Sequence, residues 1–186
     1  IPIIPIHPVF EYDDFSEGFL DPTKWSEVPG SNINNLFTDE HFVDSNERAY
    51  HTAQITPADK GVKLKLLQYT FTPGESVSYN FNYISANGNR LHFIDIDNQN
   101  TAGIGLIGNW NGQLFCGGDM FGEYHINVYF TTQGVDVLVK KPNGTIAFCP
   151  NFAGIPGAQQ YNFAVVTRTG HNGVIHIDYD NFIINE

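Results

Sequence analysis

Asp13-Asp14-Phe15-Ser16-Glu17-Gly18-Phe19-Leu20-Asp21-Pro22-Thr23-Lys24-Trp25 opens the chain, and Ile177-Asp178-Tyr179-Asp180-Asn181-Phe182-Ile183-Ile184 closes it. The two stretches stand at opposite ends of 186 residues, and between them strand signals follow almost without pause. Val77, Tyr79, Phe81 and Tyr83 alternate with Ser76, Ser78, Asn80 and Asn82, a period of two that belongs to a half-buried strand. Asn87-Gly88 marks a tight turn into Arg90 to Asp97. Across Gly122 to Thr131, Tyr124, Ile126, Val128 and Phe130 line one face, and Glu123, His125, Asn127 and Tyr129 the other. Val135, Val137 and Val139 lead to the turn Lys141-Pro142-Asn143-Gly144 and then to Thr145 to Cys149. Tyr161 to Thr167 and Val174 to Asn185 supply the closing strands, whereas Ser31 to Asn46 reads as a polar loop. No stretch has convincing helical periodicity, and no repeat of fixed period emerges. Many short strands with turns between them read as a sandwich.

The opening stretch resembles the D-[DE]-F-x-x-G-x-L-D-x-x-K-W start of concanavalin A-like jelly-roll domains, and the closing stretch resembles their last strand, V-D-Y-V-R-V. That superfamily includes laminarinase-type glycoside hydrolases, laminin-G-like modules and many carbohydrate-binding proteins. The resemblance implies an all-β, two-sheet antiparallel β-sandwich (jelly roll) over residues 13–186, with both termini on adjacent strands. Some of these jelly rolls hold a structural Ca²⁺ between the opening motif and an aspartate of the last strand. The matching positions are Asp13 or Asp14 and Asp178 or Asp180, oxygen donors that suit a hard cation.

Composition narrows the partners. Twenty Asp plus Glu against nine Lys plus Arg give a formal charge of −11, which repels phosphate backbones and argues against nucleic acid. No apolar run is long enough to insert in a membrane. Fifteen Phe, nine Tyr and two Trp suit sheets packed face to face. A start at Ile1 rather than Met fits a mature secreted product or an excised domain, which points to an extracellular or cell-surface protein. The two cysteines, Cys116 and Cys149, fall in strand-like segments. They can form one bridge between neighbouring strands or stand as two buried small hydrophobes. Residues 1–12 read as an extended arm, because prolines at 2, 5 and 8 forbid a helix and confine the segment to a sheet edge.

Chemistry is harder to place. The hydrolase relatives carry a Glu-x-Asp-x-x-Glu strand, since a retaining mechanism sets two carboxylates about 5 Å apart. Here the nearest match is Phe93-Ile94-Asp95-Ile96-Asp97, and no Glu occurs between Glu75 and Glu123. This departure implies a protein that is not an enzyme. A lyase arrangement of Arg90, His92 and Tyr129 needs their strands to be neighbours. Sugar binding needs an apolar platform beside a few fixed polar groups. Gly108-Asn109-Trp110-Asn111-Gly112 offers the platform on a loop; His125, Asn127 and Tyr129 on one strand, with Arg90 and His92 on another, offer the polar groups. Asn143-Gly144-Thr145 is a sequon on a hairpin tip, an acceptor for N-glycosylation.

The expectation is therefore an extracellular, non-catalytic, lectin-like or adhesion module that binds a glycan or polysaccharide. A first alternative is a structural subunit of a surface assembly, self-associating through an arm of residues 1–10 that adds a strand to the next copy. A second is a small glycan-active hydrolase or lyase.

Overall fold

The computed structural model describes residues 7–17, 21–29, 38–43, 49–54, 60–66, 68–96, 104–152, 160–169 and 174–185. Residues 1–6 of the expected arm, Gly18 to Leu20 of the opening motif and Asp97 lie outside these. The described strands are β1 (Phe10–Asp13), β2 (Trp25–Pro29), β3 (Thr38–Val43), β4 (Ala49–Gln54), β5 (Lys60–Leu66), β6 (Ser76–Asn87) and β7 (Arg90–Asp95). They continue with β8 (Ile104–Trp110), β9 (Gln113–Leu114), β10 (Gly122–Thr131), β11 (Gly134–Lys140), β12 (Ile146–Phe152), β13 (Ala164–Thr169) and β14 (Val174–Ile184). No helix occurs among the described residues.

Two antiparallel sheets form the sandwich. The eight-stranded sheet runs β12-β11-β10-β6-β14-β4-β3, with β1 paired to β14, and the six-stranded sheet runs β2-β5-β13-β7-β8-β9. First and last strands meet as expected: Phe10 opposes Ile184 and Glu11 opposes Ile183. Because β6 already pairs Ile183 and Ile184 on one edge of β14, β1 takes the other edge, beyond the stretch that β4 covers at Val174 to Tyr179. The arm's Phe10 to Asp13 thus pairs within its own chain, and the expected arm boundary at residue 12 falls inside β1.

Alternation builds the core. Val77, Tyr79, Phe81 and Tyr83 of β6, Tyr124, Ile126, Val128 and Phe130 of β10 and Ile177 and Tyr179 of β14 all point inward and are buried. On β14 the register shifts between Asp180 and Ile183, where Asn181 takes a φ of 50°. This bulge returns Phe182 to the interior, stacked on Tyr79 with ring centres 5.0 Å apart. The opening motif is a clasp on that ring cluster. Trp25 meets Phe182 edge-on at 4.8 Å, Phe15 stacks on Trp25, and the buried Asp13 carboxylate accepts the Trp25 indole N–H at 2.6 Å.

Where sequence and structure differ, the reason is local. Thr38–Val43 is a strand within the stretch expected to be a loop; it closes one edge of its sheet, where pairing rather than periodicity defines a strand. The strand-like segment that leads to Cys116 is a strand only at the two residues of β9, and Cys116 itself lies beyond it. Tyr161 makes only an isolated bridge with Phe71, ahead of β13.

Candidate functional site

The six-stranded sheet has an unusual outer face. On β7 and at the residue after it, His92, Ile94 and Ile96 are buried, while Leu91, Phe93 and Asp95, on the opposite side, are partly exposed. On β13, Thr167 reaches the buried Tyr179 hydroxyl of the other sheet at 2.9 Å, so the alternate residues Val166 and Arg168 face outward. Register aligns these residues in rows. Arg168 opposes Leu91, which opposes Gly108; Val166 opposes Phe93, which opposes Gly105. A side chain at Gly105 would enter the Phe115 ring, so Phe115 lies directly over β8 on this face.

Trp110 completes the surface at the end of β8. The Arg168 guanidinium carbon sits 5.1 Å from the centre of its ring, within cation–π range. The two side chains together bridge the two strand spacings between β13 and β8, about 10 Å. Gly108, at φ +128°, lets β8 approach β7 so closely that any side chain would strike the Arg90 carbonyl. Among the described side chains the result is a half-buried strip of Leu91, Phe93, Phe115 and Trp110 bearing the Arg168 cation and the Asp95 carboxylate.

Of the sequence-derived sugar contacts, only Trp110 lies here in that role. Asn109 and Asn111 shape the turn instead. Asn109 Oδ1 accepts the Gly112 N–H at 3.0 Å, Asn111 N–H donates to Asn89 Oδ1 at 2.9 Å, and Asn89 Nδ2 donates back to Asn111 Oδ1 at 2.7 Å. His92 belongs to the core, 1 % exposed. Its Nδ1–H donates to the Val166 carbonyl at 3.2 Å, which leaves Nε2 to accept the Tyr79 hydroxyl at 2.8 Å. Burial drives its pKa down to about 3, against the pull of the Val166 carbonyl. Arg90 is held on the inner side by Asp119, by the Tyr83 hydroxyl at 2.7 Å and by the Gly88 carbonyl at 2.7 Å. Burial in turn pushes the Tyr83 phenol pKa up.

His125, Asn127 and Tyr129 share one face, half-exposed, as the alternation of β10 requires. That face is the outside of the eight-stranded sheet, whose inner residues pack against the six-stranded sheet. They therefore lie on the far side of the sandwich from Trp110. His125 is hydrogen-bonded to Asn80 Oδ1 at 2.9 Å. The lyase arrangement falls for the same reason: Arg90 and His92 face inward from one sheet, and Tyr129 faces outward from the other.

The four aspartates expected to hold calcium sit in two places, Asp13 and Asp14 in the opening motif and Asp178 and Asp180 on β14. Both Asp13 oxygens are engaged, Oδ2 by Trp25 and Oδ1 by the Phe15 N–H at 2.9 Å, with Lys24 Nζ 3.5 Å away. Asp14 accepts the Ser16 N–H at 3.0 Å. Asp178 and Asp180 project from the outer face of β14, where Asp178 accepts Asn82 Nδ2 at 3.4 Å. No group of three His, Cys, Asp or Glu that could hold a metal ion occurs among the described residues. Cys116 and Cys149 are bridged, Cα to Cα 6.3 Å. The bridge joins the segment after β9 to β12, and so links the two sheets rather than neighbouring strands.

The residues missed in the sequence had a legible signal. β7 carries Leu91 and Phe93 in alternation with His92 and Ile94, so that apolar residues stand on both faces, more than a strand with one solvated side needs. Arg168 is a lone cation within Phe163 to Thr169.

No protein-family model matches the chain, and no curated protein matches it in sequence. Solved structures do resemble it. A β-1,3-glucanase from Mycobacterium marinum superposes with a TM-score of 0.62 over 99 % of each chain at 10 % identity. A glycoside hydrolase family protein from Mycobacterium thermorestibile gives 0.61 at 13 % identity, covering 95 % of this chain and 98 % of that one. A pseudo β-1,3-glucanase of Mycobacterium tuberculosis, also described as an immunostimulatory antigen, gives 0.61 at 10 % identity over 97 % and 98 %. These neighbours overturn the expectation that the chain is not an enzyme, because glucanases and glycoside hydrolases dominate their names. The missing Glu-x-Asp-x-x-Glu strand rules out that one arrangement of carboxylates and nothing wider. In fold, the chain is a concanavalin A-like jelly roll, the architecture it shares with these neighbours.

Proposed function

We propose that this chain is a secreted, glycan-active protein that acts on a polysaccharide laid along the outer face of its six-stranded sheet. The observation that carries this reading is the gathering of Trp110, Leu91, Phe93 and Phe115 on one face beside Arg168 and Asp95. Sugar rings present C–H faces that pack on aromatic and aliphatic surface, while their hydroxyls seek charged or amide groups at the margin. Arg168 fixes the Trp110 ring from one side and offers guanidinium N–H donors to a hydroxyl. Asp95 is assigned the proton transfer to the glycosidic oxygen: as the C1–O bond breaks, a water adds to C1 and gives its proton to solvent, from which the Asp95 carboxyl is reprotonated. The inter-sheet disulfide supports an oxidising, extracytoplasmic setting. The names of the neighbours make β-1,3-glucan the first substrate to try.

Affinity electrophoresis in gels containing laminarin or other soluble polysaccharides, with release of reducing ends as the second readout, tests the reading. Trp110→Ala is expected to weaken retardation about tenfold, equivalent to about 1.4 kcal/mol. Asp95→Asn is expected to bind as the parent does and to release no reducing ends. A parent protein that no polysaccharide retards would overturn the proposal. If Asp95→Asn retains full turnover, the assignment of Asp95 falls.

A further inference from the structure

We propose that Asn143 carries an N-linked glycan that covers the exposed apolar edge of the eight-stranded sheet. Asn143-Gly144-Thr145 is the sole Asn-x-Ser/Thr triplet in the chain, and it occupies the tip of the β11–β12 hairpin. Backbone bonds close this tip, from Lys141 N–H to the Thr145 carbonyl and from Gly144 N–H to the Lys141 carbonyl, each 2.8 Å. All three residues of the triplet are exposed, and the space around Gly144 is open to 4 Å. Asn143 Oδ1 accepts the Thr145 N–H at 3.1 Å and the Thr145 hydroxyl at 2.7 Å. Both bonds use the oxygen and polarise the amide, and neither engages Nδ2, the atom to be modified.

A second observation is independent of the triplet. Among the described strands β12 ends its sheet, yet its outward residues include Ile146, 67 % exposed, and Phe148, 56 % exposed. An edge strand with large apolar side chains invites pairing with another chain, and proteins ordinarily blunt such edges. A glycan rooted at the hairpin tip, three residues before Ile146, would place polar bulk beside that edge. The disulfide between Cys116 and Cys149 fits the compartment in which the modification is made.

The transfer balances without an oxidant. Asn143 Nδ2 bonds to C1 of the reducing-end sugar of a lipid-pyrophosphate-linked oligosaccharide. The bond from that C1 to the phosphate oxygen breaks, the lipid pyrophosphate leaves with the electron pair, and Nδ2 gives one proton to a base of the transferase.

Mass spectrometry of the chain secreted from cultured animal cells tests the site. One glycan is expected, released by peptide N-glycosidase with conversion of Asn143 to Asp, lost in Asn143→Gln and Thr145→Ala, and kept in Thr145→Ser. Secretion of the parent at its unmodified mass would overturn the assignment. The covering role is read by sedimentation: Thr145→Ala is expected to self-associate where the glycosylated chain stays monomeric, and Phe148→Lys to reverse it. A Thr145→Ala protein that remains monomeric at every concentration would refute that role.

Discussion

Acid should weaken this fold through the buried imidazole of His92. His92 is enclosed by Tyr79, Tyr179, Phe81 and the Val166 carbonyl, and burial lowers its pKa from 6.5 to about 3. The unfolded chain takes up a proton as pH drops below about 6.5, and the folded chain refuses it until about 3. The stability tied to neutral His92 is therefore complete above the unfolded pKa and is lost as pH falls toward the folded one. The loss is about 1.4 kcal/mol for each pH unit within that window. Between pH 7.5 and pH 5.0 it amounts to about 2 kcal/mol, or a drop of about 4–8 °C in Tm for a domain of this size. Urea unfolding followed by tryptophan fluorescence, at both pH values, measures it in the parent and in His92→Gln. The glutamine keeps an acceptor for Tyr79 and a donor for Val166 but does not titrate. Its basal stability is expected to fall, and its pH dependence over this interval to shrink by about 2 kcal/mol. The lowered carboxyl of Glu75 adds nothing in this window: burial raises its pKa, but hydrogen bonds from Tyr69 and Thr72 outweigh that and hold it below 4.5. Equal losses of stability in parent and variant between pH 7.5 and 5.0 would refute the reasoning.

Two further substitutions test the frame. Asp13→Ala should cost about 3 kcal/mol, because it strips the Trp25 indole and the Phe15 N–H of a buried charged acceptor; a change below about 1 kcal/mol in urea unfolding would contradict the clasp. Replacing both Cys116 and Cys149 with Ser opens a crosslink spanning 33 residues, which loop-closure entropy values at about 4 kcal/mol. A Tm unchanged by that double replacement would show that the inter-sheet bridge does not constrain the unfolded chain.

Much of the architecture was already decided along the sequence, where neighbouring residues suffice. Alternation in Val77 to Tyr83 and in Tyr124 to Phe130 settles which side of each strand is buried, because successive side chains must point to opposite faces. The opening and closing motifs settle that first and last strands meet, and Asn143-Gly144 settles a hairpin. Tertiary structure alone decided which outward faces belong together. Trp110 and His125 both project outward, but from opposite sheets, a fact contained only in the strand order. Arg168 reaches Trp110 across Leu91 because β13, β7 and β8 are neighbours, although 58 positions separate the two residues in the numbering. Asp13 had the right chemistry for a cation, and it became a core acceptor because folding brings the Trp25 N–H to it at 2.6 Å. Local pattern specifies a side chain's direction; only pairing between distant segments specifies what it meets there.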